Sequence, residues 1–129
     1  MTREAPRPSE LLERDEVRML SRALLEWNGP ARRSEQLAVG MEFTGSQDLL
    51  SQCGSLRSAL DEDAPLTPVN RARALLATEI VFVSDLVGSG VDWPTATGRG
   101  DEETITLLRS VQRKLARTIR PYYGTRPAE

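Results

Sequence analysis

Residues 67–87 read TPVNRARALLATEIVFVSDLV, and this stretch decides the predicted fold. Thr67 before Pro68 is a typical helix start, because a threonine side chain caps free backbone N–H groups and proline fits the first turn. Apolar residues then follow at helical spacing on two sides: Ala72, Leu76, Ile80, Val83 and Val87 on one, and Leu75, Phe82 and Leu86 on the other. A helix that is apolar on more than one side must be surrounded. We therefore predict a central helix over about 67–88.

An amphipathic helix is predicted before it, beginning near Ser9, a potential N-cap. Its apolar residues recur every three or four positions and are Val17, Leu20, Leu24 and Trp27. The sequence Asn28-Gly29-Pro30 is a strong stop signal for this helix.

Two further helices are predicted between residue 34 and the central helix. The first is short and runs from Ser34, a potential cap, to about Met41. The second begins at Thr44-Gly45-Ser46-Gln47, which fits the S/T-x-x-E/Q capping box. It carries an apolar stripe to about Leu60, formed by Leu49, Cys53, Leu56 and Leu60. A linker with acidic residues 61–63 then ends at Pro65.

A last helix is predicted from Asp101, with acidic residues in its first turn that suit the positive end of the helix dipole. Its buried stripe is predicted to be Ile105, Leu108, Val111, Leu115 and Ile119, and Pro121 is expected to end it. Residues 88–100 show no period and are predicted to form a long loop. A chain of 129 residues has room for one domain. The predicted organisation is thus a flexible arm over 1–8, an all-α bundle of about five helices over 9–120, and a tail over 121–129.

The composition excludes much of enzyme chemistry. The chain has no histidine and one cysteine, Cys53, so the commonest general base, a thiolate metal cage and an internal disulfide are all absent. Glu79 and Asp85 are six residues apart, about 600° around a helix, and do not form a facing carboxylate pair. We expect Glu79 to pair with an arginine of another helix. No catalytic residue, cofactor or metal site is predicted.

Charge is unevenly distributed, although the formal net charge is only −2. Residues 34–66 hold six acidic residues and one arginine, whereas residues 101–129 hold six basic and four acidic ones. Four arginines lie along one predicted face of the last helix, at Arg109, Arg113, Arg117 and Arg120. This face is a candidate binding site for phosphate or for an acidic partner. It is alternatively a solvated face, or one paired with the acidic 34–66 segment of the same chain or of a second chain in a homodimer.

The 88–100 loop is a second candidate, because long loops in small domains often bind ligands or partners. Asp92 and Trp93 supply a charged group and an aromatic ring. The alternative is that Trp93 and Pro94 fold back and cover the core between the helices on either side.

The order of the first three helices also fits a helix-turn-helix. Gly29-Pro30 followed by Glu35-Gln36-Leu37-Ala38 resembles the second helix of winged-helix regulators, over about a fifth of the chain. This resemblance implies a DNA-binding regulator that uses the helix after Thr44 for recognition. The acidic 34–66 segment disfavours it, since phosphates repel such a surface.

Taken together, these features predict a cytoplasmic interaction or regulatory module without catalytic activity, with a helix-turn-helix DNA-binding regulator as the alternative. The N-terminus has no apolar segment typical of a signal peptide, and the longest apolar run, around residues 80–83, is too short to span a bilayer. No membrane association is predicted. The partner is expected to be a protein or a second copy of the chain.

Overall fold

The fold is an all-α bundle, as predicted from the sequence. The computed structural model describes residues 5–27, 35–41, 43–83 and 93–123, without the side chains of residues 95, 96 and 120–123. These residues form seven helices and no β-strand: α1 (Pro8–Leu11), α2 (Arg14–Glu26), α3 (Glu35–Gly40), α4 (Ser46–Asp61), α5 (Pro68–Val83), α6 (Trp93–Thr97) and α7 (Asp101–Tyr123). None of these helices is both long and apolar enough to cross a membrane.

The first predicted helix is in fact two helices. α1 ends at Leu11, and the backbone is extended at the next two residues before α2 begins. The break is stabilised locally, because the backbone N–H of Glu13 donates a 2.7 Å hydrogen bond to Oε1 of Glu16. Ser9 lies inside α1 and caps nothing there; its backbone N–H and hydroxyl both donate to Asp63, at 2.9 and 2.6 Å.

The capping box predicted at Thr44 and Gln47 does not form. α4 begins one residue later than the box predicts, with Gly45 rather than Thr44 as the N-cap. Its first turn is capped from α3, because Glu35 accepts hydrogen bonds from the backbone N–H and the hydroxyl of Ser46. Asp48 accepts a bond from the backbone N–H of Thr44 at 3.0 Å. A carboxylate accepts stronger hydrogen bonds than a neutral hydroxyl, which explains the different start.

The start predicted for α5 is confirmed, because Thr67 Oγ1 accepts a 3.2 Å hydrogen bond from the backbone N–H of Asn70. The predicted buried face is partly wrong. Val83 is 70% exposed, while Ile80 is only half-buried. The most buried positions of α5 lie on a rotated face and include small residues that allow close helix packing: Ala72, Ala74, Ala77, Thr78 and Val81. Residues 84–90, which include the predicted end of this helix, lie outside the described part.

The centre of the bundle is shared by two helices rather than held by α5 alone. α5 packs mainly against α2 and α7, and only marginally against α4. α2 packs against α4, α5 and α7. Its inner face is fully buried and carries Met19, Leu20 and Leu24, and the buried Trp27 follows directly after the helix. Both helices are therefore central, and of the two only α2 packs extensively against α4.

α7 follows its predicted stripe except at the first position. Leu108, Val111, Leu115 and Ile119 are buried, whereas Ile105 is 48% exposed. Thr104 takes the buried position instead, and one residue along a helix is a turn of about 100°, so Ile105 faces solvent. The helix also continues through Pro121 to Tyr123, where the sequence predicted its end. Only two residues of the helix follow this proline, so the backbone hydrogen bond that it removes and the turn that it disturbs lie at the helix end.

A buried arginine joins α5 to α7. The guanidinium of Arg71, a residue only 6% exposed, donates to the backbone carbonyls of Leu66 and Thr118 and to the Thr118 hydroxyl, at 2.5, 3.2 and 3.1 Å. Burial lowers the pKa of Arg71. The cation is held by neutral oxygens, and it fixes the C-terminal half of α7 against the chain that leads into α5.

Candidate functional site

The outer face of α7 carries the arginines singled out in the sequence. Arg109, Arg113 and Arg117 are exposed, on the side opposite the buried stripe. Residues four apart on a helix are separated by about 6 Å along its axis and lie on the same side. The three guanidiniums thus form a row on the surface, which we call the arginine face. Arg120 belongs to the same helix, but its side chain lies outside the described part.

The guanidiniums of the arginine face have local polar contacts only. Nη1 of Arg109 donates to Oε1 of Gln112 at 3.0 Å, and Nε of Arg113 donates to the backbone carbonyl of Arg109 at 3.2 Å. Within the described residues, none of these three arginines forms an ion pair with a carboxylate. Their positive charges are therefore solvated, and they remain available to an external anion.

Glu79 lies behind this face and does not pair with an arginine, contrary to the sequence prediction. It accepts a 2.7 Å hydrogen bond from Nε2 of Gln112. Because Gln112 also accepts a bond from Arg109, a polar chain runs from the surface of α7 to α5. The amide separates the two charges, and this arrangement orients Arg109 without neutralising it.

Four carboxylates of the acidic 34–66 segment accept hydrogen bonds from other residues of the same chain. Glu35 and Asp48 hold the start of α4, as described above, and Asp61 accepts a 2.8 Å hydrogen bond from the Ser21 hydroxyl. Hydrogen bonds from Ser46 lower the pKa of Glu35, and those from Ser9 lower the pKa of Asp63. The pairing of this segment with the arginine face, one of the predicted alternatives, does not occur within the described part of the chain.

Trp93 covers the core, which was one of the two alternatives predicted for the 88–100 loop. The side chain is fully buried, and its indole N–H donates a 2.7 Å hydrogen bond to Oγ1 of Thr104. Its ring meets Phe82 edge to face, with centroids 5.4 Å apart. The residues from Trp93 to Thr97 are helical rather than a loop. Asp92, the other candidate of this segment, lies outside the described residues.

The structure contains an ion pair between Glu16 and Lys114 that was not predicted from the sequence. Glu16 is 2% exposed, and its Oε1 accepts a 2.6 Å hydrogen bond from the Lys114 ammonium. Burial alone would raise the pKa of Glu16, but hydrogen bonds from Lys114, the Glu13 backbone and Ser110 lower it overall, together with the Lys114 charge. A signal was present, because Glu16 lies four residues before Leu20 on the inner face of α2.

The surface of α4, the predicted recognition helix of the DNA-binding alternative, is mostly neutral. Its exposed side chains include Gln47, Ser51 and Ser55, and its single arginine, Arg57, is only half-exposed. The described residues hold no β-strand, so they contain no β-hairpin of the kind that forms a wing. This surface offers little positive charge to a phosphate backbone.

The groups that could support catalysis or metal binding are few in the described part of the chain. Burial raises the pKa of the Cys53 thiol to about 12, which disfavours the nucleophilic thiolate. No cluster of three or more potential metal-binding side chains is found among these residues. The arginine face is accordingly the candidate site for which the structure offers the clearest chemistry.

Comparisons with known proteins add no further constraint on function. No protein-family model, no curated protein and no solved structure matches this chain.

Proposed function

We propose that the protein is a cytoplasmic, non-catalytic interaction module whose arginine face binds an acidic segment of a partner protein. The observation that supports this proposal is the row of exposed guanidiniums at Arg109, Arg113 and Arg117 without an ion pair in the described residues. From residue 109 to 120 the sequence holds five cations and no acidic residue. Residues 109–120 are therefore a locally basic segment in a chain whose net charge is −2.

The spacing of the row favours an acidic helix as the bound segment. Guanidiniums about 6 Å apart along an axis match carboxylates placed every four residues on a partner helix. Arginine also suits this role because its planar fork can make two parallel hydrogen bonds to one carboxylate. Exposed ion pairs are individually weak, so binding depends on several of them and should weaken as salt rises.

A second copy of the chain is a less suitable partner than another protein. The carboxylates of Glu35 and Asp48 accept the hydrogen bonds that hold the start of α4. Recruiting these two carboxylates into a reciprocal dimer would compete with the contacts that begin this helix. The charge pattern also allows a homodimer, and the test below distinguishes self-association from binding of another protein.

The test uses a fluorescein-labelled helical peptide with glutamate at every fourth position, and fluorescence anisotropy as the measurement. We expect saturable binding that weakens about tenfold or more between about 50 mM and about 500 mM salt. The variant Arg109→Gln/Arg113→Gln/Arg117→Gln should bind at least about tenfold more weakly. Arg14→Gln/Arg18→Gln, which removes exposed arginines of α2, is the control and should bind like the wild type.

Other outcomes identify other functions. Equal peptide binding by the wild type and the arginine-face variant would contradict the proposal. A dimer in light scattering that dissociates in this variant would assign the face to self-association. Retardation of duplex DNA that falls steeply with salt and is unaffected by the α7 substitutions would favour the helix-turn-helix alternative.

A further inference from the structure

A surface groove lies on a different part of the molecule from the arginine face. It runs between the beginning of α2 and the end of α4, is open to solvent and has a volume of about 550 Å³. Leu12, Val17 and Leu60 give it an apolar floor. Its volume falls within the range of small-molecule sites, roughly 300–1,000 Å³. None of its lining residues belongs to α7.

The positive and the negative side chains around this groove come from different elements of the fold. Arg14 and Arg18 lie one turn apart at the beginning of α2, whereas Asp61 and Asp63 line it from the last residue of α4 and the turn that follows. Within the described residues, neither arginine forms an ion pair with either aspartate. The groove thus presents two positive and two negative groups that do not neutralise each other directly.

The two aspartates are held in place by the protein. Asp63 accepts one hydrogen bond on each carboxylate oxygen, from the backbone N–H and the hydroxyl of Ser9, and Asp61 accepts one from Ser21. Each carboxylate oxygen has two acceptor positions, so these contacts leave capacity for a cationic group of a ligand. Fixed acceptors reduce the conformational entropy that binding would otherwise cost.

We propose that this groove binds a small zwitterionic molecule with an apolar body, of the class of a short peptide with free termini. The ligand's ammonium group lies against Asp61 and Asp63, its carboxylate against Arg14 and Arg18, and its side chains on the apolar floor. A ligand with charges at its two ends fits because the groups of opposite sign come from separate elements of the fold. The inference shares no residue with the arginine face and does not depend on it.

The test is a titration of ¹⁵N-labelled protein with L-leucyl-L-leucine, followed by NMR chemical shifts. We expect saturable shifts in the amides around the groove, and binding at least about tenfold weaker for N-acetyl-leucyl-leucinamide, which lacks both charges. Arg14→Gln/Arg18→Gln should weaken binding of the free dipeptide at least about tenfold, and so should Asp61→Asn, whose amide oxygen can still accept the Ser21 bond. Arg113→Gln/Arg117→Gln is the control and should leave the dipeptide affinity unchanged.

Three results would each overturn the inference. They are the absence of saturable shifts up to about 10 mM dipeptide, equal affinity for the blocked dipeptide, and wild-type affinity in both groove variants. The acidic-peptide experiment uses the opposite variant and control, so failure of one proposal leaves the other distinguishable.

Discussion

Oε1 of Glu16 lies 2.6 Å from Nζ of Lys114, the only lysine in the chain, and this pair joins α2 to α7 across 98 residues of sequence. The carboxylate is 3% exposed, while the lysine side chain is 36% exposed. The same carboxylate oxygen accepts the backbone N–H of Glu13 and so helps to begin α2. One side chain therefore links the start of a helix to the packing of the bundle.

Removing the lysine should destabilise the fold, because Glu16 would be left buried without its partner. We expect Lys114→Met to lower the free energy of unfolding by about 2 kcal/mol, less than for a fully buried pair because the ammonium is partly solvated. Urea denaturation measures this change. Arg113→Met, at an exposed position of the same helix, should stay within about 0.5 kcal/mol of the wild type. Equal effects of the two substitutions would contradict a stabilising role for the pair.

The same pair predicts a loss of stability in acid. The pKa of Glu16 in the folded protein is lowered from its ordinary value of 4.5. Its contribution to stability is thus fully present above that value and is lost as pH falls through the lower folded pKa. Unfolding midpoints measured between about pH 7 and about pH 3 should fall more steeply for the wild type than for Glu16→Gln. All other carboxylates are the same in the two proteins, so parallel curves would show that Glu16 contributes nothing to the acid response.

Two valines on α5 should differ strongly in how far a charged substitution destabilises the protein. Val81 is fully buried and Val83 is 70% exposed. Val81→Asp should cost more than about 4 kcal/mol or prevent folding, because the carboxylate would have no solvent and no partner. Val83→Asp should change stability by less than about 0.5 kcal/mol. Circular dichroism with thermal unfolding compares them, and a tolerated Val81→Asp would show that the rotated face of α5 is not in the core.

The hydrogen bond between Trp93 and Thr104 should contribute measurably to stability. Thr104→Val keeps the shape of the side chain but leaves the buried indole N–H without its acceptor, which should cost about 1–3 kcal/mol. Thr106→Val is the matched control, because the exposed Thr106 hydroxyl bonds only to the carbonyl of Glu102 in its own helix. Guanidinium denaturation curves of the two variants should differ clearly. If the two curves coincide, the hydrogen bond of the indole makes no net contribution to the free energy of unfolding.

The thiol of Cys53 should be unreactive in the folded protein. Its side chain is buried at 2% exposure, and burial raises its pKa to about 12. A disulfide reagent should therefore label it only at the rate of protein unfolding, and rapidly in denaturant. Immediate stoichiometric labelling without denaturant would place the thiol at the surface, contrary to the apolar stripe of α4.

The parts of the fold that depend on neighbouring residues could be predicted from the sequence. Thr67 and Pro68 start α5 through contacts within one turn, and the repeat from Leu108 to Ile119 places the buried side of α7. The predicted start of α4 was wrong because the carboxylate that caps this helix, Glu35, is eleven residues away from Ser46 in the sequence. Local pattern cannot reveal a partner that only the fold brings close.

The candidate site was likewise predictable from the sequence only in part. The outward orientation of Arg109, Arg113 and Arg117 follows from helical periodicity and agrees with their exposure. What the sequence did not show is that Gln112 stands between Arg109 and Glu79, or that Asp61 of the acidic segment accepts a hydrogen bond from Ser21 of α2. These outcomes depend on which helices pack together and in what register. Charge counts contain no information about that geometry.

The chain has two tryptophans, Trp27 and Trp93, and both are fully buried. Their fluorescence therefore reports on the interior alone. A ligand at the arginine face or in the groove should leave the emission maximum in place, whereas loss of the packed core should shift it to longer wavelength. The native protein thus carries its own optical probe of integrity, and an external label on α7 would record binding separately from unfolding in the same sample.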